Sequence, residues 1–353
     1  MSYENHRTIG IMNWYSIDAI DASIKRTKKA LIEPFDFWKW IRLGIICILI
    51  GNSGIGNGYN FGNFNQRYTE KERALPQTGE IINQISQFWH QYQAYILIGL
   101  AVIIFIILLF GFISSMMEFV LVESLVTNTV TIRAYFRKYL RPGFNLFVIQ
   151  TILGIFFLSL FILAMVPILL PFLESPGAIS FGKILVAIIW FIAVLLVLGT
   201  IGGILRSFIS LSIPLVMYDD IGIIAAIRKI LGRFKDDWKQ IIVYWVMRII
   251  LGLAAGIIVG IAALVLLIVT LIIILVPGAV LYFILSGLGH GTQSALFWIV
   301  MIPYGIIASI LLILLILVAS VPVPVFMKYH MLTFLQMWYP DVRIPLYDLE
   351  KMS

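Results

Sequence analysis

The chain lacks most of what a soluble protein of its length carries. Charged residues make up 12% of its 353 residues, about half of the roughly 25% usual in soluble domains. Its single cysteine, Cys47, excludes an internal disulfide, and the scattered histidines form no zinc-ligand pattern with it. The polar N-terminal residues contain no apolar core of a cleavable signal peptide, so none is expected. This shortage of polar residues excludes an ordinary soluble globular fold.

Catalytic signatures are missing as well. The sequence contains no H-E-x-x-H, G-x-S-x-G or Walker A motif, so it indicates no zinc-protease helix, nucleophile elbow or phosphate-binding loop. No charged residue lies at the centre of a long apolar run, which argues against a proton-relay pump. We therefore expect a protein that is not an enzyme and that binds neither a metal nor another cofactor.

Apolar sequence is what the chain has in abundance, with 61% hydrophobic residues and a mean hydropathy of +1.01. A helix of about 20 apolar residues crosses a bilayer core of about 30 Å. Six spans are predicted, at residues 38–50, 95–117, 144–172, 184–206, 240–275 and 295–320. The first is short and has Lys39 and Arg42 inside its start, so it predicts a thin or tilted span whose basic side chains reach the interface. The fifth run continues to Leu285 but is broken at residues 277–278, which predicts a helix followed by an interfacial piece.

Basic residues are distributed unequally between the two sides of these spans. Of the 25 Lys and Arg residues, 21 lie before span one, between spans two and three, between spans four and five, after span six, or at the span ends that adjoin these segments. The opposite side holds only Arg67, Lys71, Arg73 and Lys183. The positive-inside rule then predicts a multi-pass protein of the cell membrane with both termini in the cytoplasm. The net charge of +7 is explained by this topology, so no nucleic-acid partner is expected.

The predicted domain organisation is simple. Residues 1–37 form a cytoplasmic N-terminal amphipathic segment, and residues 38–353 form a six-helix membrane domain with an extracytoplasmic Gly/Asn-rich loop at 51–93. Residues 51–66 contain five Gly and five Asn, a composition that favours turns or a mobile loop. Such a loop is either a plain linker or a ligand-binding lid.

Weak internal repeats suggest how the spans are grouped. The sequence Phe112-Ile113-Ser114 recurs as Phe208-Ile209-Ser210, and Glu123 matches Asp219 at the same offset. At a second offset, Pro167 recurs as Pro277, Pro214 as Pro324 and Met217 as Met327. The pattern predicts an all-α integral membrane fold of about six transmembrane helices, arranged as three weakly repeated hairpins with cytoplasmic amphipathic helices between them.

Three segments have the spacing of amphipathic helices: residues 17–32, 130–140 and 221–234. In the last, Ile224, Ile227, Leu231 and Phe234 share one face. Basic residues off the apolar faces are candidate contacts for lipid headgroups, namely Arg133, Arg137, Lys138, Arg228, Lys229 and Arg233. Such helices either lie in the membrane interface against anionic lipid or are connectors packed against the bundle.

Ionisable residues also collect at or near the cytoplasmic ends of the predicted spans. They are Arg42, Glu118, Glu123, Arg206, Asp219, Asp220, Arg248 and Lys328. Charges at membrane depth are costly and usually pair or line a cavity. The cluster is therefore either a polar vestibule for ions or a headgroup, or a set of structural ion pairs. A ladder of Gly252, Gly256 and Gly260 predicts close helix packing, in an oligomer or, as we expect, within the fold.

Several stretches carry a family resemblance. They are residues 13–19 (NWYSIDA), 34–36 (PFD), 40–43 (WIRL), 115–124 (SMMEFVLVES), 133–136 (RAYF), 213–217 (IPLVM), 243–244 (VY) and Arg248. The chain thereby resembles an uncharacterised family of multi-pass membrane proteins of haloarchaea and methanogens. That family is loosely similar to the membrane domain beside some bacterial glycerophosphodiester phosphodiesterases. The resemblance implies an archaeal source and no particular activity, and it makes Met12 an alternative translation start.

Three functions remain open at this point. The first is a non-enzymatic protein that organises membrane lipid or supports a complex, with lipids and a protein partner or second copy as its partners. The second is a transporter or channel for a small solute or lipid, suggested by the repeat and by apolar runs broken at residues 167–171 and 277–278. The third is an enzyme acting on lipid headgroups through Glu118, Glu123, Asp219 or Asp220.

Overall fold

The computed structural model describes residues 14–51, 78–174 and 181–347, and within these ranges every regular element is an α-helix. The helices are α1 Tyr15–Leu31, α2 Phe37–Leu49, α3 Thr78–Val126, α4 Ile132–Lys138, α5 Leu140–Glu174, α6 Phe181–Tyr218, α7 Ile223–Asp236, α8 Trp238–Gly287, α9 Ala295–Ala319 and α10 Pro322–Trp338. The Gly/Asn-rich stretch predicted as a linker or lid lies, for the most part, outside the described residues.

Among the described residues, five stretches are long and apolar enough to cross a membrane: Gln91–Val126, Leu140–Leu170, Gly182–Tyr218, Trp238–Gly287 and Ala295–Trp338. They contain predicted spans two, four, five and six, and they cover span three as far as Leu170. The predicted first span corresponds to α2, which is not among the five. Its 13 residues extend about 20 Å at 1.5 Å per residue, less than the thickness of a bilayer core. Within the described residues the protein is thus all-helical, with five helices that by length and composition could span a membrane; the predicted count of six spans is not confirmed.

The expected breaks at the prolines are absent. Helix α8 runs for 50 residues through Pro277, and α5 runs through residues 167–171. A proline inside a helix frees backbone carbonyls of the preceding turn, which must then find other donors in an apolar environment. The Tyr304 hydroxyl of α9 donates a hydrogen bond to the Ile274 carbonyl of α8, one residue after the Ile273 carbonyl that would have bonded the N–H that Pro277 lacks. The neighbouring helix α9 thus contacts α8 through Tyr304 at the point where hydropathy and proline predicted a break.

Short polar side chains mark the points where the apolar helices begin and end. Asp36 caps α2 by accepting hydrogen bonds from the backbone N–H groups of Trp38 and Lys39 at 2.9 and 3.2 Å. Asn128 after α3 and Asp220 after α6 both have positive φ, of 56° and 51°. Asn and Asp tolerate this left-handed conformation better than other side chains. Each apolar helix can therefore turn sharply into the short helix that follows it.

The chain divides into two compact units, and each is described by itself. Unit 1 comprises Met1–Gly58, Met117–Lys138 and Leu211–Ser353, and unit 2 comprises Tyr59–Met116 and Tyr139–Ser210.

The core of unit 1 is built around α10, most of which is buried. Small residues of α1, including Ser16 and Ala19, are fully buried. Of the helices that pack against α10, α1 has the most extensive contact with it. Their polar contacts are specific: the Ser16 carbonyl lies 2.9 Å from His330 Nε2, and Arg26 donates to the Thr333 hydroxyl at 2.7 Å. The end of α3 is part of the same core, since the Tyr329 hydroxyl donates to the Leu125 carbonyl at 2.9 Å.

Unit 2 is a helical group held by a few interior contacts. Ser115 of α3 donates to Gln150 of α5 at 2.8 Å, and the Trp190 indole of α6 donates to the Ala164 carbonyl of α5 at 2.9 Å. Large apolar side chains such as Phe105 and Leu163 are exposed along the outer faces. Exposed apolar surface on this scale is typical of helices that face lipid.

Close helix approach occurs at a different glycine from the ones predicted. A Cβ on Gly44 of α2 would lie 2.7 Å from the Leu317 carbonyl oxygen of α9. By contrast, open space surrounds the corresponding positions of Gly256 and Gly260, and Gly252 meets only Met327 Cε at 4.0 Å. The prediction that this ladder serves packing within the fold is therefore wrong at Gly256 and Gly260, where no described atom lies within 4 Å of an added Cβ.

Candidate functional site

One pair of the predicted polar cluster is buried. The Lys328 ammonium on α10 lies 3.0 Å from Glu118 Oε2 on α3, with only 7% and 10% of the two side chains exposed. Removing one partner of a buried pair leaves an uncompensated charge, which typically costs about 3–5 kcal/mol. This pair therefore holds α10 against the end of α3.

Two other acids of the cluster bind lysines of the short helices that follow them. Glu123 near the end of α3 pairs with Lys138 of α4 at 2.6 Å and accepts a hydrogen bond from the Tyr218 hydroxyl at 3.0 Å. Asp219, directly after α6, pairs with Lys229 of α7 at 3.1 Å. The two acids that the repeat aligned thus have matching roles, each joining the end of an apolar helix to a surface helix.

The remaining members of the cluster are separate from these pairs. Arg42 donates to the Val130 carbonyl at 3.3 Å, and Arg248 donates to the Tyr244 hydroxyl at 3.4 Å. Arg206 and Asp220 are exposed. The structure thus distributes the eight residues over several local contacts. In the part of the chain that it describes, no three His, Cys, Asp or Glu side chains are placed to hold a metal ion.

The six candidate headgroup contacts divide into engaged and unengaged groups. Lys138 and Lys229 bind the acids named above, and Arg233 donates to the Trp338 carbonyl at 3.4 Å. Arg133, Arg137 and Arg228 are exposed and have no ion-pair partner within residues 14–51, 78–174 and 181–347. Of the six predicted bases, these three arginines are the ones available to an external anion.

Helix α7 has an apolar arc that is only partly covered by protein. Its buried residues are Ile223, Ala226 and Ile230. Ile224 and Leu231, from the face that the sequence predicted, are 66% and 38% exposed. At 3.6 residues per turn the two sets are adjacent stripes, and Arg228 and Lys235 lie beyond the exposed one. Helix α7 therefore presents an apolar stripe bordered by basic side chains to its surroundings.

A groove of about 560 Å³ lies between α2 and α4. Its lining consists of Arg42, Val130, Thr131, Ile132, Arg133, Ala134 and Arg137. All three charged residues of this lining are arginines. Tyr135, which follows the lining residue Ala134 in sequence, places its Oη 3.1 and 2.9 Å from the hydroxyls of Thr127 and Thr129. Partial burial raises the pKa of Tyr135, but the hydrogen bonds from the threonines outweigh it and lower this pKa below its ordinary value.

Sequence reasoning named all three groove arginines but not their grouping. Arg133 and Arg137 are four residues apart on a helix, so their common side was visible in the spacing. Arg42 comes from a distant helix, and nothing in the sequence relates it to α4. The buried His330 was also missed, since its partner Ser16 lies 314 residues away along the chain.

Comparison with curated proteins and with solved structures finds no match to the chain. One family does match it, over residues 14–345, which contain every described helix and every candidate residue named above. The expected archaeal source and the similarity to the phosphodiesterase membrane domain stay predictions. The chain belongs to a family of unknown function, DUF7544.

Proposed function

We propose that this protein is a non-enzymatic membrane protein that gathers anionic lipid around the side on which its basic residues collect, and so organises the local bilayer or supports a complex there. The observation that supports this proposal most directly is the surface of α7, where the exposed Ile224 and Leu231 lie beside Arg228 and Lys235. A stripe of this kind inserts shallowly into the headgroup region, with its bases beside anionic lipid. The cytoplasmic leaflet is the expected location.

The state of the acidic residues gives the enzyme alternative less support. An acid or base acting on a headgroup needs a carboxylate that a substrate can reach. Of the four candidates, Glu118, Glu123 and Asp219 each bind a lysine. The fourth, Asp220, is exposed in a turn.

Of the two observations that suggested a transporter, one is not supported by the structure. Helices interrupted at residues 167–171 and 277–278 would form a substrate site at the bilayer midplane. Helices α5 and α8 instead continue through their prolines. The repeat remains, and its matched pairs, Glu123 with Lys138 and Asp219 with Lys229, lie at helix ends. A role in transport therefore stays a prediction from the repeat alone.

The proposal is tested by the lipids that the protein retains. The protein is extracted, with a polymer that preserves a ring of bilayer, from membranes containing anionic and zwitterionic lipids, and the retained lipids are quantified by mass spectrometry. Each Lys or Arg near an anionic surface contributes about 1 kcal/mol of attraction. We therefore expect enrichment of anionic lipid around the wild type and a severalfold loss of that enrichment on replacing Arg228, Lys235 and Lys239 with Gln.

A charge-matched control separates local attraction from net charge. Replacing Arg67, Lys71 and Arg73 with Gln removes the same charge from the predicted opposite side, and enrichment is expected to persist. The proposal fails if the wild type shows no enrichment, or if the two triple variants behave alike.

A further inference from the structure

Three guanidinium groups face one groove without a carboxylate among its lining residues. Arg133 and Arg137 lie at an i, i+4 spacing on α4, where like charges repel and destabilise a helix by about 0.2–0.5 kcal/mol. Arg42 of α2 adds a third positive charge to the same surface. An anion between them would turn this repulsion into attraction. The positive charge of the lining therefore favours a negatively charged group in the groove.

The type of donor narrows the class of anion. Arginine offers a planar fork of N–H groups that matches the oxygens of phosphate and carboxylate groups. Arg42 is held in place by its 3.3 Å hydrogen bond to the Val130 carbonyl at the groove's edge. Its remaining N–H groups, with those of Arg133 and Arg137, provide more donors than one carboxylate can accept. A phosphate group, with three or four oxygens, fits this donor set better.

The exposed face of α2 indicates where the phosphate comes from. Trp38, Arg42 and Ile45 lie at positions i, i+4 and i+7 and therefore share one side of the helix. Trp38 is 67% exposed and Ile45 is 39% exposed. An interfacial aromatic residue, a cation and an aliphatic residue thus follow one another along this face, as in the passage from headgroup layer to acyl chains. A lipid with its phosphate at Arg42 would lay its chains along Ile45.

From this arrangement we infer that the groove of Arg42, Arg133 and Arg137 is a specific site for the phosphate group of one anionic phospholipid. The inference deepens the proposed function, because it adds one stoichiometric site to a general attraction of anionic lipid. It rests on different residues, α2 and α4 instead of α7, so the two can fail independently.

The experiment counts bound lipid and compares guanidinium with ammonium. Purified protein is delipidated in detergent and titrated with short-chain phosphatidylglycerol, with phosphatidylcholine as the zwitterionic comparison, and complexes are counted by native mass spectrometry. We expect one phosphatidylglycerol per chain. Each of Arg42→Gln, Arg133→Gln and Arg137→Gln is expected to weaken it about tenfold, as loss of a charge-assisted hydrogen bond would. The corresponding Lys variants keep the charge but lose the fork, so they too are expected to bind more weakly than the wild type.

Inorganic phosphate, titrated alone and as a competitor, distinguishes the two sources of the group. Weak competition that leaves the lipid preferred supports the inference. Phosphate bound as tightly as the lipid would overturn the lipid assignment in favour of a soluble ligand. Lys variants that bind like the wild type, or many equivalent lipids per chain, would overturn a specific site in favour of diffuse charge. Because all three arginines are exposed, melting curves of the variants are expected to match the wild type. The variant in which Arg228 and Lys235 of α7 and Lys239 at the start of α8 are replaced with Gln is expected to keep the bound lipid.

Discussion

At the scale of single residues, the ion pair between Lys328 and Glu118 is expected to affect the stability of the fold most, because both groups are nearly inaccessible to solvent. Replacing Lys328 with Met leaves the Glu118 carboxylate buried without this partner. We expect the free energy of unfolding to fall by about 3–5 kcal/mol, the usual cost of breaking a buried pair from one side. The measurement is unfolding of the purified protein in bicelles, titrated with a denaturing detergent.

Two comparisons isolate the buried charge as the cause. The double variant Glu118→Leu, Lys328→Met removes both charges and is expected to recover most of the loss, since apolar replacement of a buried pair is often neutral or better. Lys229→Met breaks the more exposed pair with Asp219 and is expected to cost less than about 1 kcal/mol. A Lys328→Met protein as stable as the wild type would show that the pair contributes nothing to the fold.

These residues also show what a sequence can and cannot reveal about a site. Glu118 and Lys328 stand out because ionisable groups near apolar spans are rare. Their pairing is not visible, because 210 positions separate them and pairing depends on how α10 packs. The same holds for Arg42 beside α4. Residue types at the correct depth were therefore predictable, whereas the choice of partner was not.

At the scale of helices, the glycine of unit 1 with the least space for a side chain is Gly44, where α2 meets α9. A methyl group there would collide with the Leu317 carbonyl oxygen, which belongs to backbone and cannot move aside cheaply. Gly44→Ala is therefore expected to destabilise the protein by about 1–3 kcal/mol through overpacking. The measurement is the shift of the melting temperature in detergent.

Gly256 provides the matched control, because it lies in a long apolar helix and has open space around its Cα hydrogen. Gly256→Ala is expected to be neutral or slightly stabilising, since alanine is the better helix former. Equal melting temperatures for Gly44→Ala and the wild type would contradict the close packing of α2 on α9.

Periodicity predicted the helices better than their faces or ends. All three amphipathic segments are helices, as α1, α4 and α7. In α7, however, both of two adjacent apolar stripes satisfy the same periodicity, and packing determines which one is buried. The long helices extend past the predicted spans. Hydropathy marks only the apolar part of a helix that contacts lipid, whereas the helix itself continues for as long as its backbone hydrogen bonds continue. Helix α3 thus begins at Thr78, well before the apolar run at 95.

At the scale of the whole molecule, the packing of α1 on α10 bears on how often the chain crosses the membrane. Helix α1 is strongly charged, with Asp18, Asp21 and three lysines, so it lies outside the lipid core. The Ser16–His330 and Arg26–Thr333 contacts tie it to α10. After α10, the Tyr347 N–H group donates to the Val126 carbonyl, also in unit 1. The N-terminal helix and the C-terminal tail are therefore expected on one side of the membrane.

Two ends on one side require an even number of crossings, whereas composition confirms five candidate spans. The missing crossing is expected before α3, where the sequence predicts a short span at residues 38–50.

Accessibility of single cysteines to a membrane-impermeant maleimide tests this in a Cys47→Ser background, which removes the only native thiol. In right-side-out vesicles, Lys25→Cys on α1 and Arg343→Cys in the tail are expected to react only after permeabilisation. Lys183→Cys, in the first turn of α6 on the predicted opposite side, is expected to react at once. Reaction of Lys25→Cys but not Arg343→Cys in intact vesicles would mean five crossings, and would contradict the packing of α1 on α10, because two helices on opposite sides of a bilayer cannot be in contact.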